Sequence, residues 1–462
     1  MLQSKEQIEI LKKNSKDLAN YIQTNLQNNP QILFLLKNLG RLPNDFDGEW
    51  LYGLTQNENP KIRFWAIKNI GKLKSNGDIK ILKKLIQNET DTANRREIIS
   101  SIGRKRNSVY KSLLLETLDD NDPKVVCQAI RGLLVFKLDD EITEKLKALR
   151  SHKNEMVQTI IRKEFFQEKT SKKELPHKET FDYLKNVVVN GDVLEVLKLV
   201  PEESVHLTFT SPPYYNARDY SIYQSYQDYL NFLEEVFLET HRVTKEGRFL
   251  LVNTSPIIIP RISRQHSSKR YPIPFDLHPL LVKMGWEYID DIIWQKPEAS
   301  VKNRNAGFLQ HRKPLGYKPN AVTEMVMVYR KQTDKLIDWN IKQYDFETVK
   351  RSKVSDGYET SNVWKIDPKF DKIHSAIFPV DLCQKIISYY SFEGDLVFDP
   401  FAGSGTLGRT AKALNRLFFL TEKDEKYFNY MKSKNKSQTL FGEPETRFFT
   451  LKEFDKEKND TN

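Results

Sequence analysis

The chain has 462 residues, of which 39% are hydrophobic and 11% are aromatic. This composition is typical of a globular protein and excludes a disordered chain. We find neither a secretory signal nor an apolar run near the roughly 20 residues of a membrane helix, so we expect a cytoplasmic protein without membrane contact. The two cysteines, Cys127 and Cys383, are too few for a disulfide scaffold or a multi-cysteine metal site.

The net charge of +11 is concentrated in the first part of the chain. Residues 1–173 hold 32 Lys and Arg against 22 Asp and Glu, which gives +10 and leaves +1 for residues 174–462. A phosphate backbone is the commonest polyanionic partner of such a region, although a basic surface also favours solubility. The charge of residues 1–173 therefore has two interpretations, a surface that binds nucleic acid and a surface that keeps the protein soluble.

Residues 57–161 are helical and repetitive. Pro-Lys-Ile-Arg at 60–63 is echoed by Pro-Lys-Val-Val at 123–126, and each follows a turn rich in Asn or Asp. Helix pairs in units of this size cannot bury their apolar faces alone and must stack. Residues 1–166 therefore resemble a short HEAT-like solenoid of about three or four units. An ordinary helical bundle is the alternative.

A polar, charged stretch at 167–178 has the composition of a linker, and the pattern changes after it. Short strands are predicted at 187–189, 205–210 and 249–252, with an apolar helical pattern at 229–238. Alternation of this kind favours an α/β fold with buried, mostly parallel strands. We expect a second domain of the Rossmann-like α/β class.

Residues 398–406, Phe-Asp-Pro-Phe-Ala-Gly-Ser-Gly-Thr, join a predicted strand to a predicted helix. Glycines at such a junction let the backbone approach a ligand closely, and an acid at the strand end can hold an ammonium or hydroxyl group. Glu422 ends the next predicted strand, 17 residues after Gly405, where an acid typically grips a nucleotide ribose. A purely structural turn is the alternative.

Residues 208–214, Thr-Phe-Thr-Ser-Pro-Pro-Tyr, follow another predicted strand. The two prolines donate no backbone hydrogen bonds, so the loop is stiff and its carbonyl groups are free. A hydroxyl, free carbonyls and an aromatic ring at the end of a strand suit a flat base with an exocyclic amine. A strand-terminating turn is the alternative interpretation of this segment alone.

Residues 179–440 resemble the S-adenosylmethionine-dependent DNA amino-methyltransferases of the N4-cytosine/N6-adenine family. The Ser-Pro-Pro-Tyr motif at 211–214 precedes the cofactor motif at 399–406, which is the order of the family's β group. The blocks at 245–252, 286–297 and 374–379 also follow the family pattern. The resemblance does not include residues 1–170, and residues 441–462 are predicted to be a charged tail.

The resemblance implies a role for each motif residue. Ser211 and the Pro212 carbonyl, in the loop with Pro213, would accept hydrogen bonds from the target amine, and Tyr214 would stack on an extruded base. S-adenosylmethionine would be the cofactor, with Glu422 at its ribose hydroxyls, and no metal is implied. The other residues implied to line the cofactor are Asp399, Phe401, Gly403, Gly405 and Thr406, with Phe378 and Pro379 near its methionine end.

The chemistry of methyl transfer fits these residue types. Acceptors on the amine pull its lone pair out of the ring and raise its nucleophilicity, and alignment of amine and methyl supplies further rate. Methylation at cytosine C5 would instead need a cysteine nucleophile. Cys127 and Cys383 both lie in apolar helical patterns, so that reaction is excluded.

The serine of Ser-Pro-Pro-Tyr favours N4 of cytosine, because adenine members of the family more often carry aspartate there. We therefore predict a site-specific cytosine-N4 DNA methyltransferase of a restriction-modification or related system. The alternatives are an N6-adenine enzyme, an enzyme acting on RNA or a protein amide, and a HEAT-repeat scaffold with a degenerate methyltransferase domain.

DNA contacts are expected in three places. The order of the β group puts the recognition region at about 331–372, and residues 310–320 form a basic loop interleaved with aromatic residues. Residues 1–173 are expected to add affinity for phosphates. The alternative is that these repeats dock a restriction endonuclease or another defence protein.

Overall fold

The computed structural model describes residues 4–74, 79–166, 177, 179–216, 223–259, 263, 265–266, 268–301, 313–317, 319–354, 356–369, 377–436 and 445–461. The chain divides into two compact units, Met1–Lys172 and Lys173–Asn462. Within the described ranges no helix combines the length and the hydropathy needed to cross a bilayer. Apart from His177, the predicted linker at 167–178 lies outside the described residues, as do residues 310–312 and 318 of the basic loop and 374–376 of the family block.

The described part of the first unit is built from helices. Short 3-10 turns follow several of them, at 108–110, 117–119, 134–136 and 149–151. The helices are α1 (Lys5–Leu11), α2 (Ser15–Asn25), α3 (Asn29–Asn38), α4 (Trp50–Leu54), α5 (Pro60–Ile70), α6 (Ile79–Asn88), α7 (Thr92–Lys105), α8 (Lys111–Glu116), α9 (Pro123–Leu133), α10 (Asp140–Ala148) and α11 (Glu155–Ile161).

Four of these helices begin in the same way. Asn59, Asp91, Asp122 and Asn154 cap α5, α7, α9 and α11, and each side-chain oxygen accepts a hydrogen bond from a backbone N–H of the first turn. The caps are 32, 31 and 32 residues apart. The two Pro-Lys segments noted in the sequence are the first turns of α5 and α9. Asn14, Asn28 and Asp139 cap α2, α3 and α10 in the same manner, so the feature that sets these four starts apart is their even spacing.

Successive capped helices pack against each other. A Cβ built on Gly103 of α7 would lie 3.1 Å from the Cα of Gly132 in α9, so these two backbones are in direct contact. The Ser101 hydroxyl of α7 donates to the Ile67 carbonyl of α5 at 3.2 Å. Fully buried apolar side chains fill the space between these helices, among them Ile62, Ala66, Ile98, Ile102, Val126 and Ile130.

The second unit is built on a nine-stranded sheet, counted over its described residues. A further pair, β4 (Ile257–Ile259) and β5 (Lys269–Tyr271), forms a separate antiparallel sheet. The strands of the main sheet are β1 (Val187–Asn190), β2 (Val205–Thr210), β3 (Thr244–Thr254), β6 (Trp286–Gln295), β7 (Thr323–Lys331), β8 (Val363–Lys365), β9 (Leu396–Asp399), β10 (Leu417–Glu422) and β11 (Arg447–Thr450).

The spatial order of the main sheet is β11-β1-β10-β9-β2-β3-β7-β6-β8. Neighbouring strands are parallel except β7, which runs antiparallel to both β3 and β6. The carboxyl ends of the parallel strands therefore share one edge with the amino end of β7. Strand β2 is buried along its whole length, as expected at the centre of such a sheet.

Helices cover both faces of the sheet. On one face, Ile386, Leu407 and Met431 of three helices pack against strand residues such as Val397. On the other face, Val196, Val236 and Phe454 pack against residues such as Phe398. The predicted α/β class is confirmed. The helices are α12 (Val193–Leu197), α13 (Tyr226–Val243), α14 (Ile273–Lys283), α15 (Ile337–Ile341), α16 (Phe346–Arg351), α17 (Val380–Tyr390), α18 (Thr406–Ala413), α19 (Glu425–Lys436) and α20 (Leu451–Thr461).

The end of the chain differs from the predicted charged tail at 441–462. Strand β11 pairs in parallel with β1, and α20 buries Phe454 completely in the core. Apolar side chains recur between the charges, and Phe454 lies within 5.7 Å, ring centre to ring centre, of Phe419 in β10. These aromatic contacts make residues 447–461 part of the folded unit, so the tail prediction is corrected there.

The predicted recognition region at 331–372 contains α15, α16 and β8. Strand β8 pairs in parallel with β6 at the edge of the main sheet. The Trp294 indole donates to the Ile366 carbonyl at 2.8 Å and joins the residues after β8 to the same edge. Part of this region is therefore sheet rather than a free loop.

Candidate active site at the carboxyl edge of the sheet

The two sequence motifs meet at the ends of neighbouring strands. Strand β2 ends at Thr210, directly before the Ser-Pro-Pro-Tyr loop, and β9 ends at Asp399, directly before the glycine turn. The two strands are parallel neighbours, and the Thr210 hydroxyl donates to Asp399 Oδ1 at 2.7 Å. Residues 189 positions apart are thus brought into one site by strand pairing.

Asp399 is buried at the mouth of the glycine turn. Besides Thr210, it accepts a hydrogen bond from the Phe401 backbone N–H at 3.0 Å. Burial raises the pKa of this carboxyl to about 7, while the two hydrogen bonds oppose the rise. A buried carboxyl with so few donors can still bind a cationic or hydroxyl group, which would favour its ionised form.

The turn after Asp399 requires its glycines. Gly403 and Gly405 have φ values of +52° and +73°, in the left-handed region that side chains other than glycine rarely adopt. A Cβ on Gly405 would also lie 2.5 Å from Met431 Sδ. Thr406 then begins α18, with its hydroxyl 3.0 Å from that of Ser404. Glycine is therefore required at Gly403 by the backbone conformation and at Gly405 by both the conformation and the close packing of Met431.

Glu422 closes the other side of the turn. Its Oε2 accepts a hydrogen bond from the Gly403 N–H at 2.7 Å, and its Oε1 accepts one from the Asp424 N–H at 2.8 Å. Burial raises the pKa of this carboxyl to about 7. Each oxygen keeps a second lone pair, so the carboxylate can still accept from a ligand with two adjacent hydroxyls.

Tyr214 is the aromatic residue of the stiff loop after β2, and hydrogen bonds fix its hydroxyl. Tyr214 donates to Glu324 Oε2 at 3.2 Å, and the hydroxyls of Ser211 and Ser255 are also within hydrogen-bonding reach. Burial first, and then the charge of Glu324, raise the pKa of Tyr214 well above its ordinary value. The phenol therefore stays protonated. Pro212 is buried and Pro213 is half-buried.

Three residues are implied to flank the cofactor: Phe378 and Pro379 at the start of α17, and Phe401 in the glycine turn. Phe378 stacks on Phe209 of β2, with ring centres 4.4 Å apart and planes 21° apart. Pro379 caps α17. The ring of Phe401 lies 6.0 Å, centre to centre, from that of Phe232 in α13. Phe378 and Phe401 thus line the ends of β2 and β9.

The structure adds three polar residues that the motifs did not reveal. Glu324 is the second residue of β7, Asn253 is the second-last residue of β3, and Lys296 directly follows β6. All three therefore lie at the same edge of the sheet as Tyr214. Asn253 Nδ2 donates to Glu324 at 2.5 Å, and Lys296 forms an ion pair with the same carboxylate. The side-chain amide oxygen of Asn253, Oδ1, is buried and accepts no hydrogen bond from the described residues.

A cavity of about 310 Å³ lies behind the glycine turn, between α18 and α19. Gly405, Arg409, Met431 and Phe448 contribute to its lining. Neither Asp399 nor Glu422 lines it, so the two carboxyls of the turn do not open into this space.

Both cysteines are buried thiols in helices. Cys127 lies in α9 and Cys383 in α17, and burial raises the pKa of both thiols. Neither has the lowered pKa expected of a nucleophilic cysteine.

Comparison with known proteins finds relatives of the second unit. The N6/N4 methyltransferase family, described as DNA methylases, matches residues 205–433. The type II methyltransferase M.Cfr9I of Citrobacter freundii is 30% identical over 270 residues, which are 51% of this chain and 83% of that protein. The type II beta methyltransferase M.BslI of a Bacillus strain is 29% identical over 239 residues, half of this chain but only 25% of its own length. A solved DNA modification methylase of Thermus thermophilus, complexed with S-adenosyl-L-methionine, has 24% identity, a TM-score of 0.46, and coverage of 58% of this chain and 98% of its own.

The second unit, whose described strands form the nine-stranded sheet, is that of a methyltransferase. The chain belongs to the N6/N4 family of DNA methylases. It is a DNA methyltransferase, and its cofactor is S-adenosylmethionine. The residues present fit this group, because buried carboxyls at two adjacent strand ends offer acceptors to the hydroxyl and ammonium donors of the cofactor.

Proposed function

We propose that the chain methylates N4 of cytosine in DNA, at a specific sequence, as the modification enzyme of a type II restriction-modification or related system. The observation that carries this proposal is the hydrogen bond of Thr210 to Asp399, which puts the Ser-Pro-Pro-Tyr loop beside the glycine turn. The relatives named as type II methyltransferases support the biological setting.

The loop residues would activate the target amine. The Ser211 hydroxyl and the Pro212 carbonyl are acceptors for its N–H groups, and they would draw the nitrogen towards tetrahedral geometry. Pro213 keeps the loop stiff. Tyr214 would stack on the base after it leaves the duplex. The phenol suits this role because its hydroxyl, at the far edge of the ring, donates a hydrogen bond to Glu324 and leaves the faces of the ring for stacking.

The turn residues would hold the cofactor, which when bound supplies a methyl group activated by a sulfonium. Glu422 would accept from the ribose hydroxyls through its two remaining lone pairs. The glycine backbone would allow close approach. Asp399, Phe401, Gly403, Gly405 and Thr406 would line the site from the turn, and Phe378 and Pro379 from the start of α17.

Cytosine is preferred over adenine because serine, not aspartate, opens the Ser-Pro-Pro-Tyr motif. Methylation of adenine N6 is the second candidate, since the loop offers the same acceptors to either amine. The scaffold alternative is opposed by the intact glycine turn, by Glu422 and by the Ser-Pro-Pro-Tyr motif, which a degenerate domain would have no need to keep.

We further propose that the first unit is a HEAT-like solenoid that binds the DNA backbone. The four evenly spaced helix starts and the direct contact of α7 with α9 support stacked repeats. Exposed basic residues on the same helices, such as Lys61, Lys124 and Arg131, support contact with phosphates. Docking of a restriction endonuclease is the alternative.

Transfer of labelled methyl groups from S-adenosylmethionine to DNA, RNA and protein tests the polymer class directly. We expect incorporation into DNA alone. Labelling of RNA or protein, with DNA left unlabelled, would contradict the proposal.

A further inference from the structure

One carboxylate connects the ends of three different elements at the proposed active site. Glu324 stands at the amino end of β7 with 15% of its side chain exposed. Its Oε2 accepts from the Tyr214 hydroxyl at 3.2 Å and from Asn253 Nδ2 at 2.5 Å, and its Oε1 pairs with Lys296. The three donors come from the loop after β2, from the end of β3 and from the residue after β6.

These contacts restrict the donors in specific ways. A stacking tyrosine can rotate about two side-chain bonds, and a hydrogen bond to its hydroxyl fixes the far edge of the ring. The carboxylate also determines the orientation of the Asn253 amide, because only the Nδ2 end can donate to it. The side-chain oxygen Oδ1 of Asn253 must then face away from Glu324.

A neighbouring lysine neutralises the charge of Glu324. Lys296 forms its ion pair with Oε1 and also lies over the Trp294 ring, 4.5 Å from the ring centre. Trp294 and Glu324 are partners in the register of β6 and β7. The pairing of β7 with β6 thus fixes the position of Glu324. Lys296, which packs on Trp294 of β6, holds its carboxylate.

We propose that Glu324 is a positioning residue of the methyl transfer, which fixes the Tyr214 ring in the orientation that receives the target base. This inference rests on the proposed function, since the role of Tyr214 is part of it. Glu324 acts through the Tyr214 hydroxyl, so removing either partner of this hydrogen bond should have the same kinetic consequence.

A double-mutant cycle of Glu324→Ala and Tyr214→Phe tests the inference in the full-length chain, because alanine removes the acceptor that glutamine would keep. Tyr214→Phe keeps the ring and removes only the hydroxyl. We expect each single variant to slow single-turnover methyl transfer by about 10- to 100-fold, as small misplacements in active sites do. We expect cofactor affinity, measured by calorimetry, to stay within about twofold of wild type. The double variant should be no slower than the slower single variant, because both remove one interaction.

Glu287→Ala serves as the matched control, because Glu287 is an exposed carboxylate on β6 and should leave the rate unchanged. Wild-type rates for both single variants, or losses that multiply in the double variant, would overturn the inference. If Glu324→Ala does not fold, Tyr214→Phe decides alone, and a wild-type rate in that variant overturns the inference. An inactive wild-type chain would overturn the proposed function together with the inference, whereas an active wild type with equally active variants counts against Glu324 only.

Discussion

Asp399 and Glu422 are carboxyls whose burial brings each pKa to about 7, far above the values of 3.8 and 4.5 for exposed groups. Ionising them is therefore costly in the free enzyme, and folding stability should decline as pH rises from about 4 to about 7. A ligand that donates hydrogen bonds or carries positive charge reverses this cost locally. In their proposed roles the two acids would make cofactor binding sensitive to pH in the neutral range.

We expect affinity for S-adenosylmethionine to increase as pH rises from 6 to 8 through a pKa of about 7. Binding should favour the ionised carboxylates and so release protons. Calorimetry in buffers with different ionisation enthalpies measures both quantities. Asp399→Asn, which cannot ionise, should bind more weakly and lose much of the pH dependence. Proton uptake on binding, or affinity that falls with pH, would contradict these roles.

At this scale the sequence predicted the residues of the two motifs but not their partners. Thr210 and Asp399 could be placed at strand ends because each closes a recognisable strand, whereas the pairing of the two strands is known only from the structure. Glu324 lies 110 residues from Tyr214, and its neighbourhood contains no motif. A predicted pairing of β6 with β7 could have placed Glu324 near Lys296, but nothing local connects it to Tyr214.

At the scale of elements, the sequence predicted strands whose apolar residues are consecutive or alternate with polar ones. Strand β2 matches its predicted bounds of 205–210, while β3 extends from 244 to 254, well beyond the predicted 249–252. The extra residues include Lys245 and Arg248, which are buried although charged. Arg248 pairs with Asp395, so burial depends on a partner that is distant in sequence. Strand β11 was missed for the same reason, since its pairing with β1 crosses most of the domain.

The packing of α7 on α9 allows a direct test of the repeats. Ala normally stabilises a helix over Gly, yet we expect Gly132→Ala to destabilise the first unit by about 1–3 kcal/mol. The new methyl group would lie 3.1 Å from both the Gly103 Cα and Leu114 Cδ1. The control is Gly53→Ala in α4, where no atom lies within 4 Å of the added Cβ, and a gain of up to about 1 kcal/mol is expected. Urea unfolding measures both variants, and equal stabilisation by the two would show that α7 and α9 do not pack closely.

At the scale of the whole molecule, the two units divide the charge unequally. Residues 1–173 carry +10 of the net +11, whereas the motifs of the methyltransferase family all lie beyond residue 204. Stacked repeats with a basic surface can follow phosphates without reading bases. We therefore propose that added affinity for DNA and the choice of sequence are tasks of different parts of the chain.

A chain that begins at Lys172 should bind DNA more weakly than the full chain and with a shallower dependence on salt. Each lost phosphate contact should reduce the log–log salt slope by about 0.9 for duplex DNA. Its affinity for S-adenosylmethionine should be unchanged, which serves as the internal control. Equal DNA affinity and equal slope for the two chains would favour docking of a protein partner instead.

The central claim, methyl transfer to an exocyclic amine of a DNA base, is tested most directly by mass spectrometry of nucleosides from the DNA of a host that expresses the chain. The same measurement reports the base and the modified atom. We predict N4-methylcytosine, absent from a host expressing Asp399→Ala. N6-methyladenine that depends on the wild-type chain would move the target to adenine, and DNA without either modified base would contradict the claim.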